Sequence, residues 1–310
     1  MKVVSSQGNP ELATVHVGEL EDGSRIEFVE SIQPPRKMQE KWVNVISTMV
    51  GCPVGCKMCD AGGSYRRGLT AFEMEAQTEY LARMKFPDGN VTSDIWKIQL
   101  ARMGEPTLNP NVLDFLEQLG NKDRKNLVIS LSTVGPSQCA PFIQELKKLK
   151  DAYFPGRFQL QFSVHSTDDE TRRRLIPVKG LALPEIAALG RSFRSPGDRK
   201  VTLNFIVMKD VDIDPGRIAT LFDPENFLIK LTPLNPTYRA QYHKIQPGFD
   251  PENPEAVRGL VAGFREKGFE TILSIGETEE NAIGSNCGQY LERAELGHAT
   301  PCRAGFGGSR

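Results

Sequence analysis

The sequence lacks an excess of charge of either sign, and it lacks long apolar runs. Its 310 residues hold 38 Lys and Arg against 39 Asp and Glu, a formal net charge of −1. Without a basic excess, the general electrostatic argument for a nucleic-acid partner is missing, although a local basic patch remains compatible with one. No stretch approaches the ~20 apolar residues of a membrane span, and the first ten residues lack the apolar core of a secretory signal. We therefore expect a cytoplasmic protein without a membrane partner.

Cysteine is scarce as well, with six residues in the whole chain. In a chain of this length without an export signal, cysteines are expected to be reduced. Cys139, which precedes a predicted helix, is expected to be structural. Three of the others lie close together in the sequence, so their spacing indicates metal or redox chemistry rather than disulfide bonds.

Internal repeats and low-complexity tracts are also absent, which favours one domain of catalytic size with short appendages. Residues 12–30 predict a two-strand ribbon with a turn at Asp22 and Gly23. Strand-like and helix-like runs then alternate, which predicts parallel βα units in a doubly wound sheet or an incomplete barrel. The predicted core strands are Trp42–Ser47, Ile95–Ala101, Leu127–Ser132, Phe158–Val164, Val201–Val207, Phe227–Thr232 and Phe269–Ile275. The predicted divisions are an N-terminal β-ribbon extension (1–34), a main domain (35–280), and a C-terminal loop and tail (281–310).

Cys52, Cys56 and Cys59 follow the first core strand with the spacing CxxxCxxC. Thiolates are soft ligands for iron–sulfur clusters and zinc, and a compact loop is needed for all three to surround one centre. Three ligands leave one iron of a cubane open, as catalytic metal sites keep a position for substrate. The alternative is a structural zinc site completed by Asp60 or a distant cysteine. A position after the first strand of a βα fold favours an active site.

This spacing after a first strand resembles the signature of the radical S-adenosylmethionine (SAM) superfamily. The resemblance implies a partial (β/α)6 barrel of radical SAM type with a small N-terminal β ribbon. It also implies a [4Fe–4S] cluster held by Cys52, Cys56 and Cys59, with SAM bound to the open iron. An electron from the cluster, supplied by a donor such as flavodoxin or ferredoxin, would cleave SAM to a 5′-deoxyadenosyl radical.

Motifs at other strand ends resemble the RlmN/Cfr family, which are radical SAM methyltransferases of ribosomal-RNA adenine. The resemblance covers roughly residues 12–292. Its motifs are Met103-Gly104-Glu105-Pro106, Ser130-Leu131-Ser132-Thr133, Ser163-Val164-His165, Asp169 to Pro177, Pro233-Leu234-Asn235-Pro236 and Asn286-Cys287-Gly288-Gln289.

The resemblance predicts which residues contact SAM. The Glu105 carboxylate can accept charge-assisted hydrogen bonds from the SAM ammonium. Hydroxyl and amide side chains can bind the carboxylate, ribose or adenine, although satisfied polar residues at strand ends are an equally good interpretation of the two serines. His165 is expected to line the pocket rather than to bind a metal. The predicted SAM-binding residues are Met58, Gly104, Glu105, Pro106, Ser132, Ser163, His165 and Asn235.

In the family that it resembles, a Cys before Gly-Gln is methylated by one SAM, and the radical from a second SAM removes a hydrogen atom from that methyl group. The carbon then adds to an electron-poor sp2 carbon, and a second Cys releases the product by forming a disulfide. Cys287 matches the first cysteine. The second would lie seven positions before Cys52, where this sequence has Val45. A valine cannot exchange disulfides, so either Cys302 resolves the adduct or the release chemistry differs.

Two further departures concern the substrate. The family carries an N-terminal RNA-binding accessory domain, which we do not expect here because this sequence begins almost at the ribbon that follows it. The loop before Cys287 is acidic rather than basic. Residues 251–300 hold nine Glu and four Arg or Lys, which would repel a phosphate backbone. We therefore favour a methyltransferase that delivers a one-carbon unit to an sp2 carbon of a small or medium-sized, non-ribosomal molecule. The alternatives are hydrogen abstraction without methyl transfer, RNA adenine methylation, and a non-catalytic metal-stapled binding protein.

Overall fold

The computed structural model of the protein describes residues 1–61, 64–122 and 124–286. The strands in these ranges are β1 (Lys2–Asn9), β2 (Ala13–Glu19), β3 (Arg25–Ile32), β4 (Lys41–Ile46), β5 (Met49–Val50), β6 (Arg67–Gly68), β7 (Ile95–Leu100), β8 (Leu127–Thr133), β9 (Phe158–Ser163), β10 (Val201–Val207), β11 (Phe227–Pro233) and β12 (Thr271–Leu273). The helices are α1 (Ala71–Lys85), α2 (Asn111–Gly120), α3 (Ala140–Tyr153), α4 (Asp169–Leu175), α5 (Leu183–Phe193), α6 (Pro215–Leu221), α7 (Tyr238–Tyr242), α8 (Glu255–Glu266) and α9 (Thr278–Ile283), with a 3-10 turn at Pro106–Leu108.

Ten of the described strands form one sheet in the order β1-β2-β3-β4-β7-β8-β9-β10-β11-β12. The pairs from β1 to β4 are antiparallel, and those from β4 to β12 are parallel. Each parallel strand lies beside its predecessor in the chain, so the winding never reverses as it does in a doubly wound sheet. The predicted partial barrel is confirmed, and the doubly wound alternative is wrong.

One face of the parallel strands is apolar and packs against the helices. In β7, Trp96, Ile98 and Leu100 are fully buried. Facing them, α2 buries Val112, Phe115, Leu116 and Leu119, the spacing of an amphipathic helix. Burying each such side chain stabilises the folded state by about 1.5–3 kcal/mol. The packing of helices on this face of the strands forms most of the hydrophobic core. This packing fixes the strand ends, which carry the predicted site.

The N-terminal ribbon has one strand more than the sequence indicates. The additional strand, β1, pairs with β2. Its residues are mostly exposed and polar, so its sequence has no alternation of apolar and polar residues from which a strand could be predicted. The ribbon also continues the main sheet, because Val29 of β3 pairs with Val45 of β4. The strands on the two sides of residue 34 therefore belong to one sheet, and a domain boundary at that residue stays a prediction.

After β12 the chain returns to the ribbon. Ile283 at the end of α9 packs with Leu12, Val15 and Val29, and Val45 lies against the same cluster. The chain segment before Cys287 is thus held beside β4. No helix in the described residues is both long enough and apolar enough to span a membrane.

Candidate active site

The three clustered cysteines lie on the loop between β5 and β6, directly after β4. All three thiols are partly buried and form no disulfide. Gly51 opens the loop with φ 70°, and a Cβ there would overlap the Ser64 carbonyl, so the turn requires glycine. Nearby backbone N–H groups, including that of Gly104, donate to the Cys52 sulfur. Such donors are the groups that stabilise thiolate sulfur in iron–sulfur sites.

The cysteine loop is embedded in an apolar cluster. Val54 and Met58 pack with Leu175, Ile176, Met208, Leu234 and Ala240, and the Cys52 and Cys56 side chains lie against them. Burial raises the pKa of the Cys52 thiol to about 11 and that of Cys56 to about 12. Thiols bind metal only as thiolates, so loading this site releases protons.

Asp60 holds the loop to α7 rather than offering a metal ligand. Its carboxylate accepts the backbone N–H groups of Tyr238 (3.1 Å) and Arg239 (2.9 Å) at the start of that helix. The Arg239 guanidinium in turn donates to the carbonyls of Cys56 (3.1 Å) and Gly55 (3.0 Å). This capping role engages both oxygens of the Asp60 carboxylate, which argues against the alternative of a zinc site completed by Asp60.

The donor set fits a cubane cluster. In the part of the chain that the structure describes, no three His, Cys, Asp or Glu side chains converge closely enough to bind a single metal ion. A cubane does not require such convergence, because each cysteine binds a different iron. Three soft thiols on one loop, with N–H donors to the Cys52 sulfur and an apolar setting, suit a cluster of that kind.

Glu105 follows β7 at the same edge of the sheet as the cysteine loop. Gly104 before it has φ 105°, and a Cβ there would lie 2.7 Å from Met49 and Thr48 atoms. The Glu105 carboxylate is 3% exposed and accepts hydrogen bonds from the Thr107 hydroxyl (2.7 Å) and the Val134 N–H (2.9 Å). Burial raises the pKa of Glu105. Because these donors are neutral, an ammonium group at this position would stabilise the buried carboxylate.

The other predicted SAM residues lie at the carboxyl ends of neighbouring strands. Ser132 of β8 accepts a hydrogen bond from Gln161 (3.1 Å), and Ser163 ends β9 with its side chain partly exposed. Asn235 follows β11, and its carbonyl accepts the Thr237 N–H (2.8 Å). Parallel strands bring all of these residues to one edge of the barrel, where such folds bind ligands.

His165 is a neutral buried side chain. Its backbone has φ 64°, and its Nδ1 accepts the Ile206 N–H at 3.2 Å. Burial, assisted by the positive charge of Arg172, lowers the pKa of His165 to about 4. The ring therefore stays uncharged at neutral pH, with Nε2 carrying the proton. Since Nδ1 is occupied, this geometry agrees with a pocket-lining role.

Arg102, which the sequence analysis missed, links the C-terminal segment to this edge. It lies between β7 and Gly104, is 4% exposed, and donates to the carbonyls of Gly284 and Ser285, both at 2.6 Å. Its Nε lies 3.1 Å from Glu27 Oε1, a contact that is an ion pair rather than an aligned hydrogen bond. An Arg directly after a buried strand is unusual enough to have signalled a buried partner.

Not every predicted residue can be placed. Cys287 and Cys302 lie outside the described residues, so their roles stay predictions. Cys139 is fully buried in the core and unpaired, which agrees with a structural role.

Comparison with known proteins identifies the family. Residues 46–214 match the family model of the radical SAM superfamily. The chain belongs to this superfamily. A dual-specificity RNA methyltransferase RlmN from Nautilia profundicola is 32% identical over 270 residues, which cover 85% of this chain and 72% of that protein. A probable RlmN from Symbiobacterium thermophilum is 29% identical, over 92% of this chain and 72% of its own. These relatives place the chain in the RlmN/Cfr-type family.

Solved structures agree. A radical SAM methyltransferase from Sphaerobacter thermophilus superposes with a TM-score of 0.73 at 25% identity, covering 93% of this chain and 80% of that one. A spore photoproduct lyase variant shares the fold with a TM-score of 0.50 at 13% identity, over 73% and 75% of the two chains. The chain is thus a radical SAM enzyme of a methyltransferase family that uses a [4Fe–4S] cluster and SAM, and it needs an electron donor.

Proposed function

We propose that the protein transfers a one-carbon unit from methylated Cys287 to an sp2 carbon of a small-molecule substrate. The observation that carries the proposal is the anchoring of Gly284 and Ser285 by Arg102. Cys287 is two residues beyond Ser285, so the chain tethers it within about 7 Å of that anchor. Arg102 itself directly precedes Met103, Gly104 and Glu105, and methyl transfer needs such proximity between the thiol and the bound cofactor.

In this proposal the cluster is held by Cys52, Cys56 and Cys59. When bound, the cluster and SAM supply the methyl group and the 5′-deoxyadenosyl radical. The loop's attachment to α7 through Asp60 and Arg239 keeps the three thiols oriented before the metal arrives. The apolar cluster around Met58 limits the access of water to the radical chemistry.

SAM binds along the edge formed by the strand ends. The Glu105 carboxylate accepts hydrogen bonds from the SAM ammonium group, and Gly104 and Pro106 determine the backbone conformation on either side of Glu105. Ser132, Ser163 and Asn235 donate to or accept from the polar groups of the cofactor. The neutral His165 and the side chain of Met58 complete the pocket without adding charge. These assignments follow from the family resemblance and from the shared position of the residues at one edge of the barrel.

Val45 decides how the product leaves. It lies in an apolar cluster with Ile283 and Val29, so no thiol of β4 faces the C-terminal segment at this position. We assign resolution to Cys302, whose thiolate would attack the Cys287 sulfur and form a Cys287–Cys302 disulfide as the carbon–sulfur bond breaks. The electron pair of that bond goes to the product carbon, which takes up a proton to become the methyl group. A dithiol reductant would then restore both thiols.

The charge of the C-terminal region favours a small substrate over RNA. Between residues 251 and 286, Glu252, Glu255, Glu266, Glu270, Glu277 and Glu279 are all exposed. A phosphate backbone gains its affinity from Lys and Arg, so this surface would repel it. The protein is accordingly expected to act on a compact molecule in the cytoplasm.

Methylation of Cys287 is the direct test. Anaerobically reconstituted protein is incubated with SAM and reductant, and the Cys287 peptide is analysed by mass spectrometry for one added methyl group. A Glu105→Gln protein, which loses the carboxylate proposed to bind SAM, is tested in the same way. Glu117→Gln is its matched control, because Glu117 is an exposed carboxylate on α2. An unmodified thiol in the wild-type protein would refute methyl transfer and leave hydrogen abstraction as the reaction.

RNA adenine methylation is the second candidate, because the relatives from Nautilia profundicola and Symbiobacterium thermophilum are named RNA methyltransferases. In a Cys302→Ala protein, the substrate should remain bonded to Cys287 as a trapped adduct. A nucleotide adduct recovered after incubation with ribosomal RNA would support this candidate. A small-molecule adduct recovered from a metabolite extract would support the first.

A further inference from the structure

The concave face of the barrel is polar. In parallel barrels the inward side chains are normally branched and apolar and fill the interior. Here, alternation along the parallel strands points a different set inward. These inward residues are Lys41, Val43 and Val45 of β4, Ile95, Lys97 and Gln99 of β7, Val128, Ser130 and Ser132 of β8, Gln159, Gln161 and Ser163 of β9, Thr202, Asn204 and Ile206 of β10, and Leu228, Lys230 and Thr232 of β11.

Solvent reaches this face in the middle of the sheet. Strands β7 and β9 alternate strictly between buried and partly exposed residues. The partly exposed ones include Lys97, Gln99, Gln159 and Gln161, which lie on central strands covered by helices on the other side. A packed interior would leave them without contact with water. Water therefore reaches the concave face of the sheet, and we call the space that this face lines the lumen of the barrel.

Positive charge is concentrated in this lumen. The side chain of Lys97 lies close enough to those of Lys41, Lys230 and Arg199 for the four charges to interact, and burial with these neighbours lowers the pKa of Lys97 to about 7. Among the described residues, the inward positions of β4 and β7–β11 hold no carboxylate, and Lys97 forms no ion pair. Because Lys97 is largely buried beside other cations and has no carboxylate at these inward positions, an anion bound next to it would stabilise its charged form.

We infer that the lumen is an anion-binding site that holds a carboxylate or phosphate group of the substrate, through Lys97 with Lys41 and Lys230. The assignment to the substrate rests on the proposed function, whereas the anion site stands on the lumen alone. Lys97 lies four positions before Ala101 in the chain, or about 13 Å at the rise of a parallel strand. The substrate would thus be elongated, with its anionic group roughly that far from the edge that carries Glu105.

Direct binding tests the site without requiring turnover. The full-length, cluster-loaded protein is titrated with inorganic phosphate, and separately with succinate, by isothermal calorimetry at constant ionic strength. Each should bind saturably, and the stronger of the two identifies the anion class. Lys97→Met should weaken binding about tenfold or more, equivalent to about 1.4 kcal/mol. Lys97→Arg should retain it.

The control is Lys148→Met, the same chemical change at a lysine whose side chain is 72% exposed on α3; its binding should match the wild type. If Lys97→Met does not fold, Lys230→Met takes its place. Saturable binding that is equal in all variants, or no binding of either anion, would overturn the inference. Anion binding lost in Lys97→Met, combined with an unmethylated Cys287 in the wild type, would overturn the proposed function and leave the anion site standing.

Discussion

Replacing Arg102 tests whether the C-terminal segment depends on the strand that carries Glu105. In Arg102→Met, the carbonyls of Gly284 and Ser285 lose their donors, and Glu27, which is fully buried, loses its positive neighbour. Removing one partner of a buried ion pair typically lowers the free energy of unfolding by about 3–5 kcal/mol. Since Arg102 and Glu27 are not aligned as a hydrogen bond, we expect the lower end of that range.

The loss has two parts that can be measured separately. Anaerobic urea unfolding gives the stability of Arg102→Met, Glu27→Gln and the double variant, and the double-mutant cycle isolates the ion pair. The initial rate of Cys287 methylation, followed by mass spectrometry, reports the anchoring of the two carbonyls. Glu27→Gln keeps that anchor, so its methylation rate should stay near the wild-type value. Arg102→Met should fall well below it.

One result would refute this reasoning. If Arg102→Met unfolds within about 0.5 kcal/mol of the wild type, the change behaves like an ordinary surface substitution. If it also methylates Cys287 at the wild-type rate, the guanidinium does not position the segment. A folded Arg102→Met protein that still binds SAM but methylates slowly would support positioning, because a purely structural role would lower both activities.

Three further outcomes follow from the same contacts. Glu105→Gln should weaken SAM binding about tenfold to a hundredfold, since a charge-assisted bond contributes on the order of 1.5–3 kcal/mol; equilibrium dialysis measures the affinity, and unchanged binding contradicts the role. Cys56→Ala should lose most of its iron by metal analysis after anaerobic reconstitution, and a full complement would remove Cys56 from the ligand set. The pKa of Lys97 is about 7 in the folded protein and 10.5 in the unfolded chain. Between these two pH values the unfolded chain binds more protons than the folded protein does. The free energy of unfolding should therefore rise as the pH increases from about 7 to 10. Lys97→Met should flatten the rise in phosphate-free buffer, and a slope equal to the wild type would refute it. The cations that face Lys97 are Lys41, Lys230 and Arg199.

Strand positions were predictable because they depend on local pattern. The prediction Val201–Val207 matches β10 exactly in both bounds, and Ile95–Ala101 exceeds β7 by one residue. Strand β12 is shorter than Phe269–Ile275, because only Thr271–Leu273 pairs with β11. The choice between barrel and doubly wound sheet depends on strand order, which periodicity does not record.

The site was predictable where a motif marks it and unpredictable where a distant partner defines it. The cysteine loop and Glu105 were found from spacing and resemblance. Arg102 was missed because its acceptors lie more than 180 residues away along the chain. The polar inner face could have been predicted from the sequence. Lys97 and Gln99 alternate with Ile98 and Leu100, which is the pattern of a strand with one solvent-exposed face.

The division between the two faces of the sheet has a consequence for how this enzyme family diversifies. Most of the branched and aromatic side chains that hold the strands in place point outward to the helices, while most inward positions are polar. Replacing a partly exposed inward residue such as Gln159 or Gln161 should therefore alter what the barrel binds with little loss of stability. Substitutions on the inner face could therefore change the substrate at little cost in stability, while the residues at the edge that holds the cluster and SAM stay the same.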